Sequence, residues 1–154
     1  MEKHDGVRAF RTELKNYRYH QIKVKEFKFK IEDTYGKLGG YHSPSFSSIG
    51  RGQMPKDVEY KLRNDIEKFQ RIVEREEERV KYIEEILEAM PEEERNAAIL
   101  IYADGESVIK VADMYHLSDH GIRYRINKAI WRAMKNNGEA TSSFSAYTSK
   151  DNER

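Results

Sequence analysis

Residues 91–135 read PEEERNAAILIYADGESVIKVADMYHLSDHGIRYRINKAIWRAMK, and the punctuation of this stretch decides the fold. Pro91 and the three glutamates after it open a helix with acid in its first turn, where the helix dipole favours negative charge. Ala97, Ala98, Leu100 and Ile101 continue the helix, and Asp104-Gly105 stops it. Ser107 is placed to cap a short helix from Val108 to His116 that buries Val108, Val111, Ala112 and Tyr115. Leu117-Ser118 turns the chain again, and Ser118 caps a third helix running from Asp119 toward Lys135. Three short helices joined by tight turns predict a trihelical unit. On the third helix, Ile122, Ile126, Ala129, Ile130 and Ala133 share one face. The other face carries His120, Arg123, Tyr124, Asn127, Lys128, Trp131 and Lys135, with Arg125 and Arg132 toward its flanks.

The net charge of +1 hides a local imbalance. Residues 118–135 hold five Lys/Arg against one Asp, while residues 91–117 hold two against six acids. A polyanion senses the local patch and not the total. In a helix-turn-helix, the second helix presents side chains to base edges while neighbouring cations grip phosphate. Arg suits guanine and Asn suits adenine. The expected partner is double-stranded DNA, met by His120, Arg123, Tyr124, Arg125, Asn127, Lys128 and Arg132. The plainer alternative is a bundle whose basic helix is simply solvated.

Upstream, residues 56–90 carry Leu62, Ile66, Phe69, Val73, Val80, Ile83, Leu87 and Met90 in a heptad broken only by Glu76. With charged flanking positions this is a coiled-coil pattern, and the polar core residue can set register. Residues 7–38 show Val7, Phe10, Leu14, Tyr17, Val24, Ile31, Tyr35 and Leu38 at steps of three and four, with Gln21 and Lys28 as exceptions. Val24 to Ile31 also alternates with period two, which leaves a strand as the competing reading there; length favours helix. The two seams predict an antiparallel hairpin within one chain or a coiled coil between two. Self-association through the long helices is expected in either case. Between them, Gly39 to Pro55 (GGYHSPSFSSIGRGQMP) reads as a loop.

The expected fold is all-α. Residues 1–90 form two long helices, about 7–38 and 56–90, joined by the flexible Gly/Ser loop; residues 91–135 form the DNA-binding module. Residues 136–154 lack periodicity and apolar content and read as a disordered tail.

Several functions are disfavoured. With no cysteine there is neither a disulfide framework nor a thiolate metal site. No signal-peptide core and no window of about 18 apolar residues is present, so a soluble, cytoplasmic protein is expected. His116 and His120 are four apart but straddle the predicted turn and lack further ligands, so no metal is expected. The Gly-rich loop has no Walker spacing, and Ser43, Ser45, Ser47 and Ser48 have no His/Asp partners in view. No cofactor and no catalytic residue is expected, and the chain does not read as an enzyme.

One resemblance sharpens the reading. Ile83-x-x-Ile-Leu-x-x-Met-Pro-Glu-Glu-Glu-Arg, then Ala103-Asp-Gly, Val108-x-x-Val-Ala-x-x-Tyr-His-Leu-Ser and Ile122-Arg-Tyr-Arg-Ile-Asn-Lys-Ala-Ile resemble region four of bacterial sigma factors. The wider layout is similar to phage late-gene transcriptional regulators of the ArpU/RinA type, where helices precede such a module. The resemblance covers residues 83–134 and is architectural over 7–90. It implies promoter reading through His120, Arg123, Tyr124, Asn127 and Lys128 in a bacterial host cell. Activation would add a contact to RNA polymerase, for which the acidic helices within 56–117 are candidate surfaces. The helix opens Asp119-His120-Gly121, where sigma factors usually present Arg, Ser or Glu. Two other functions compete: a phage small terminase subunit, which generally places its DNA module first, and a coiled-coil adaptor without nucleic acid.

Overall fold

The computed structural model describes residues 2–40 and 54–138; most of the predicted Gly/Ser loop and tail, 41–53 and 139–154, lies outside the described residues. Among those described the fold is all-α. The helices are α1 (Glu2–Lys15), α2 (Tyr17–Gly40), α3 (Lys56–Ala89), α4 (Glu92–Ala98, continued by a π-helical turn Ile99–Ala103), α5 (Val108–Met114) and α6 (Asp119–Asn136). The alternating stretch Val24 to Ile31 is helical. No helix among the described residues is long and apolar enough to cross a membrane.

The predicted single helix over 7–38 is two helices. Asn16 interrupts it: its amide N–H turns to Glu13 O, three residues back, at 3.1 Å, and its side-chain Nδ2 donates to Thr12 O at 3.2 Å. A side chain that competes for main-chain acceptors loosens the i to i−4 ladder. The inward stripe changes step at the same place. It runs through buried Val7, Phe10, Leu14, Tyr17 and His20, and then half-buried Val24, Phe27 and Ile31, buried Thr34 and half-buried Leu38. Two successive steps of three, at 14–17–20, re-phase the seam as a stammer does. His20, Phe27 and Thr34 therefore take the inward positions expected of Gln21, Lys28 and Tyr35. Tyr35 is exposed.

The described residues divide into two compact units, one within 19–80 and the other of residues 2–18 with 81–138. The first is a helical hairpin closed within one chain, so the seam that the sequence offered equally to a second copy is occupied here. Phe27 packs on Phe69 with ring centroids 5.6 Å apart, and Lys30 Nζ lies 4.4 Å from the Phe27 centroid. Glu76 is 2% exposed and meets His20 Nδ1, itself buried; Lys23 Nζ stands 3.6 Å from the other carboxylate oxygen. The break in the heptad is thus filled by a buried carboxylate with two basic partners, the condition under which burial of a charge is tolerated.

The second unit corrects the predicted boundaries. The sequence reading set 91–135 apart from 1–90, yet α1 and the last turns of α3 belong with α4, α5 and α6. Val7, Phe10 and Leu14 from α1, Tyr17 at the start of α2, and Ile83, Ile86, Leu87 and Met90 from α3 are buried. Three short helices have too little apolar area to exclude water alone, and α1 with the end of α3 supplies the rest of the core. Phe10 meets Tyr82 edge-on at 6.3 Å. α1 passes beside α6 at Gly6, where a Cβ would stand 3.4 Å from Met134 Cε, an ordinary contact distance.

Candidate nucleic-acid interface

Two joints orient α6. The first is the junction between α3 and α4. Pro91 lacks the N–H that would continue α3, and Arg95 folds back over the open end of that helix. Its Nε donates to Leu87 O at 2.8 Å and its Nη2 to Met90 O at 3.0 Å. A guanidinium on carbonyls that lack helical partners also suits the negative pole of the helix. Asp104 N–H then bonds Ile99 O at 2.9 Å, closing the π turn, and Gly105 leaves it with φ +71°.

The second joint is the turn between α5 and α6. Leu117 N–H bonds Ala112 O at 2.9 Å and His116 N–H bonds Asp113 O at 3.2 Å, with His116 at φ +56°. This is a Schellman ending with histidine in the left-handed position usually held by glycine. Ser118 then caps α6, its Oγ accepting from Gly121 N–H at 3.0 Å. A Cβ on Gly121 would lie 3.1 Å from that Oγ, so glycine leaves room for the cap. Ser107 stands at the equivalent position before α5 but its side chain makes no cap hydrogen bond, in contrast to the sequence expectation.

With α6 so placed, Ile122, Ile126, Ala129, Ile130 and Ala133 are buried, and the cationic side is turned outward. His120, Arg123, Tyr124, Lys128 and Arg132 are exposed, Tyr124 at 58%. Lys128 Nζ lies 5.8 Å from the Tyr124 ring centroid, a cation over a π face one turn away. Within α6 this face owes nothing to unusual backbone: it is the complement of the isoleucine stripe.

Two of the seven expected contact residues are engaged elsewhere. Arg125 is held by α4: its Nη2 donates to Glu94 Oε1 at 2.6 Å and to Glu93 Oε2 at 3.3 Å. The Glu94 hydrogen bond and charge push the guanidinium pKa up. Arg125 is therefore a tie between α6 and the acidic first turn of α4, and is corrected from contact residue to scaffold. The acid excess of 91–117 is partly consumed by this tie. Asn127 is half-buried and accepts from Arg11 Nη1 at 3.3 Å through its Oδ1. Arg11 also lies over the Tyr102 ring at 5.9 Å from the centroid. Sequence reasoning missed Arg11. The available signal was the spacing of His4, Arg8, Arg11 and Lys15, which puts four basic residues on one side of α1.

Compared with family models, curated proteins and solved structures, the chain matches none of them.

Proposed function

We propose that this protein is a double-stranded DNA-binding transcription regulator of phage type, docking α6 in the major groove. One observation carries the reading: a helix whose buried side is entirely Ile and Ala presents Arg123, Tyr124, Lys128 and Arg132 together, clear of carboxylate partners among the described residues. Phosphate contacts supply affinity and position, and base-edge contacts supply specificity. Arg123 is the residue assigned to base edges, and Lys128 and Arg132 to phosphate. RNA polymerase and a second copy of the chain are further partners in this proposal, and duplex binding itself requires neither.

Selection from a randomised duplex pool, followed by titration at rising salt, tests it. Affinity for the selected duplex should fall steeply with salt as the gain from releasing counterions shrinks. Arg123→Ala should weaken that affinity by about 1–3 kcal/mol and relax preference at one position. A protein that enriches no sequence and binds no duplex at low salt is not this regulator.

A further inference from the structure

The cations of the unit that holds α6 fall into two groups. Arg18, Lys81, Lys110 and Arg125 are paired with Asp104, Glu85, Glu106 and Glu93/Glu94, and Arg95 is bound to carbonyls. Among the described residues, those with no carboxylate partner lie on α6, as above, and on α1: Arg8, Arg11 and Lys15. On α1 they follow one another at steps of three and four, along one side of the helix. Like charges at that spacing repel and destabilise an isolated helix. Asp5, three residues before Arg8, makes no ion pair with it. Glu13 lies near Tyr82, whose hydroxyl pKa rises with burial and then with that charge.

The stripe runs beside α6. Gly6 approaches Met134 and Arg11 bonds Asn127, so residue numbers rise along α1 as they fall along α6, and the two helices are antiparallel neighbours. Arg11, the middle member, touches the edge of the cationic face, and exposed Arg8 and Lys15 continue one turn to either side. Packed helices stand about 8–10 Å apart, whereas the major groove is only about 12 Å wide. When one helix enters the groove, its neighbour meets the groove wall, which is phosphate. Arg11 keeps guanidinium donors beyond the one given to Asn127.

We propose that Arg8, Arg11 and Lys15 of α1 form a second phosphate-binding element that grips the backbone of the duplex entered by α6. This inference rests on the reading of α6 as the docking helix. It makes the interface a two-helix clamp, with Arg11 joining the halves.

The test is binding of a fluorescent mixed-sequence duplex of about two helical turns, about 20 bp, followed by anisotropy between about 50 and 200 mM salt. Arg8→Ala, Arg11→Ala and Lys15→Ala should each reduce the slope of log K against log salt by about 0.9, and the triple variant by about 2–3. The pair Arg8→Gln with Lys15→Gln leaves the Arg11 contacts in place and should remove about two of these units. Lys81→Ala and Lys110→Ala, whose cations are already paired, should leave the slope as it is. Helicity and Trp131 emission report whether each variant is folded. An unchanged slope in the folded pair variant, with a reduced slope in Lys128→Ala, overturns the clamp and leaves the reading of α6 standing. Absence of salt-dependent duplex binding by the unmodified protein overturns both. Equal weakening on a single strand of the same sequence overturns the groove-wall geometry.

Discussion

Replacing Phe10 with alanine separates the two ways of assigning α1. Phe10 is 1% exposed and packs edge-on against Tyr82, within the unit that contains α6. A buried phenylalanine side chain removes about 150–250 Å² from water, which at about 25 cal/mol per Å² is about 4–6 kcal/mol. Subtracting what alanine retains leaves a loss of about 3–5 kcal/mol, the range seen for such truncations. The protein has one tryptophan, Trp131, on α6, so its emission follows the unfolding of this unit alone. With a urea m-value of about 2 kcal/mol/M, the Trp131 midpoint should drop by about 2 M. Phe29→Ala is the matched control, because Phe29 is 68% exposed and surface changes stay within about 0.5 kcal/mol. If Phe10→Ala leaves the Trp131 transition within that same margin, α1 is not part of the core beneath α6. The assignment of 1–18 to this unit would then be wrong.

Three further outcomes follow from particular residues. Glu76→Ala should cost about 3–5 kcal/mol by leaving His20 and Lys23 facing a void, whereas His20→Leu with Glu76→Leu should be neutral or stabilising; a double variant as unstable as the single one would contradict this. His116→Gly should raise the melting free energy by about 0.5–1 kcal/mol, the relief of left-handed strain less the entropy of glycine; a loss of stability in calorimetry would show that the side chain is needed. Burial, and then the hydrogen bond donated to Glu84 at 2.8 Å, push the Tyr17 hydroxyl up to about 12. The folded value lies above the unfolded one, so this contribution is complete below about pH 10 and is lost as pH rises toward 12. Tyr17→Phe should therefore flatten the alkaline decline in stability, and an unaltered decline would exclude Tyr17 as its source.

Much of α4, α5 and α6 was legible because their boundaries are written in local chemistry. Pro91, Gly105 and Ser118 each act on the few residues beside them, and the Ile122–Ile126–Ile130 stripe identifies the inward side of α6 without reference to any partner. The allotment of α1 was not legible. Val7, Phe10, Leu14 and Tyr17 have the spacing of a hairpin seam, and that spacing does not say which neighbour covers it. The clue lay in Gln21 and Lys28, which fit the extrapolated stripe badly because the stripe had already shifted by one residue at Asn16. The fates of Arg125 and Asn127 were hidden for a different reason. Whether a cation on a helix flank is free depends on Glu93, Glu94 and Arg11, which are distant in sequence and adjacent only after folding.

The unit that presents α6 is stitched from both ends of the chain, with Arg11 and Asn127 bonded across 116 positions. During synthesis α1 emerges long before the helices that cover it exist, while residues 19–80 hold what they need to pair. Closing that hairpin first draws Arg18 and Lys81 together and removes most of the loop entropy that would otherwise oppose the long-range contacts. A ribosome stalled after α5 would display α1 without its α6 neighbour, a ready target for chaperones and proteases. Translation order thus makes α6 the latch that secures α1.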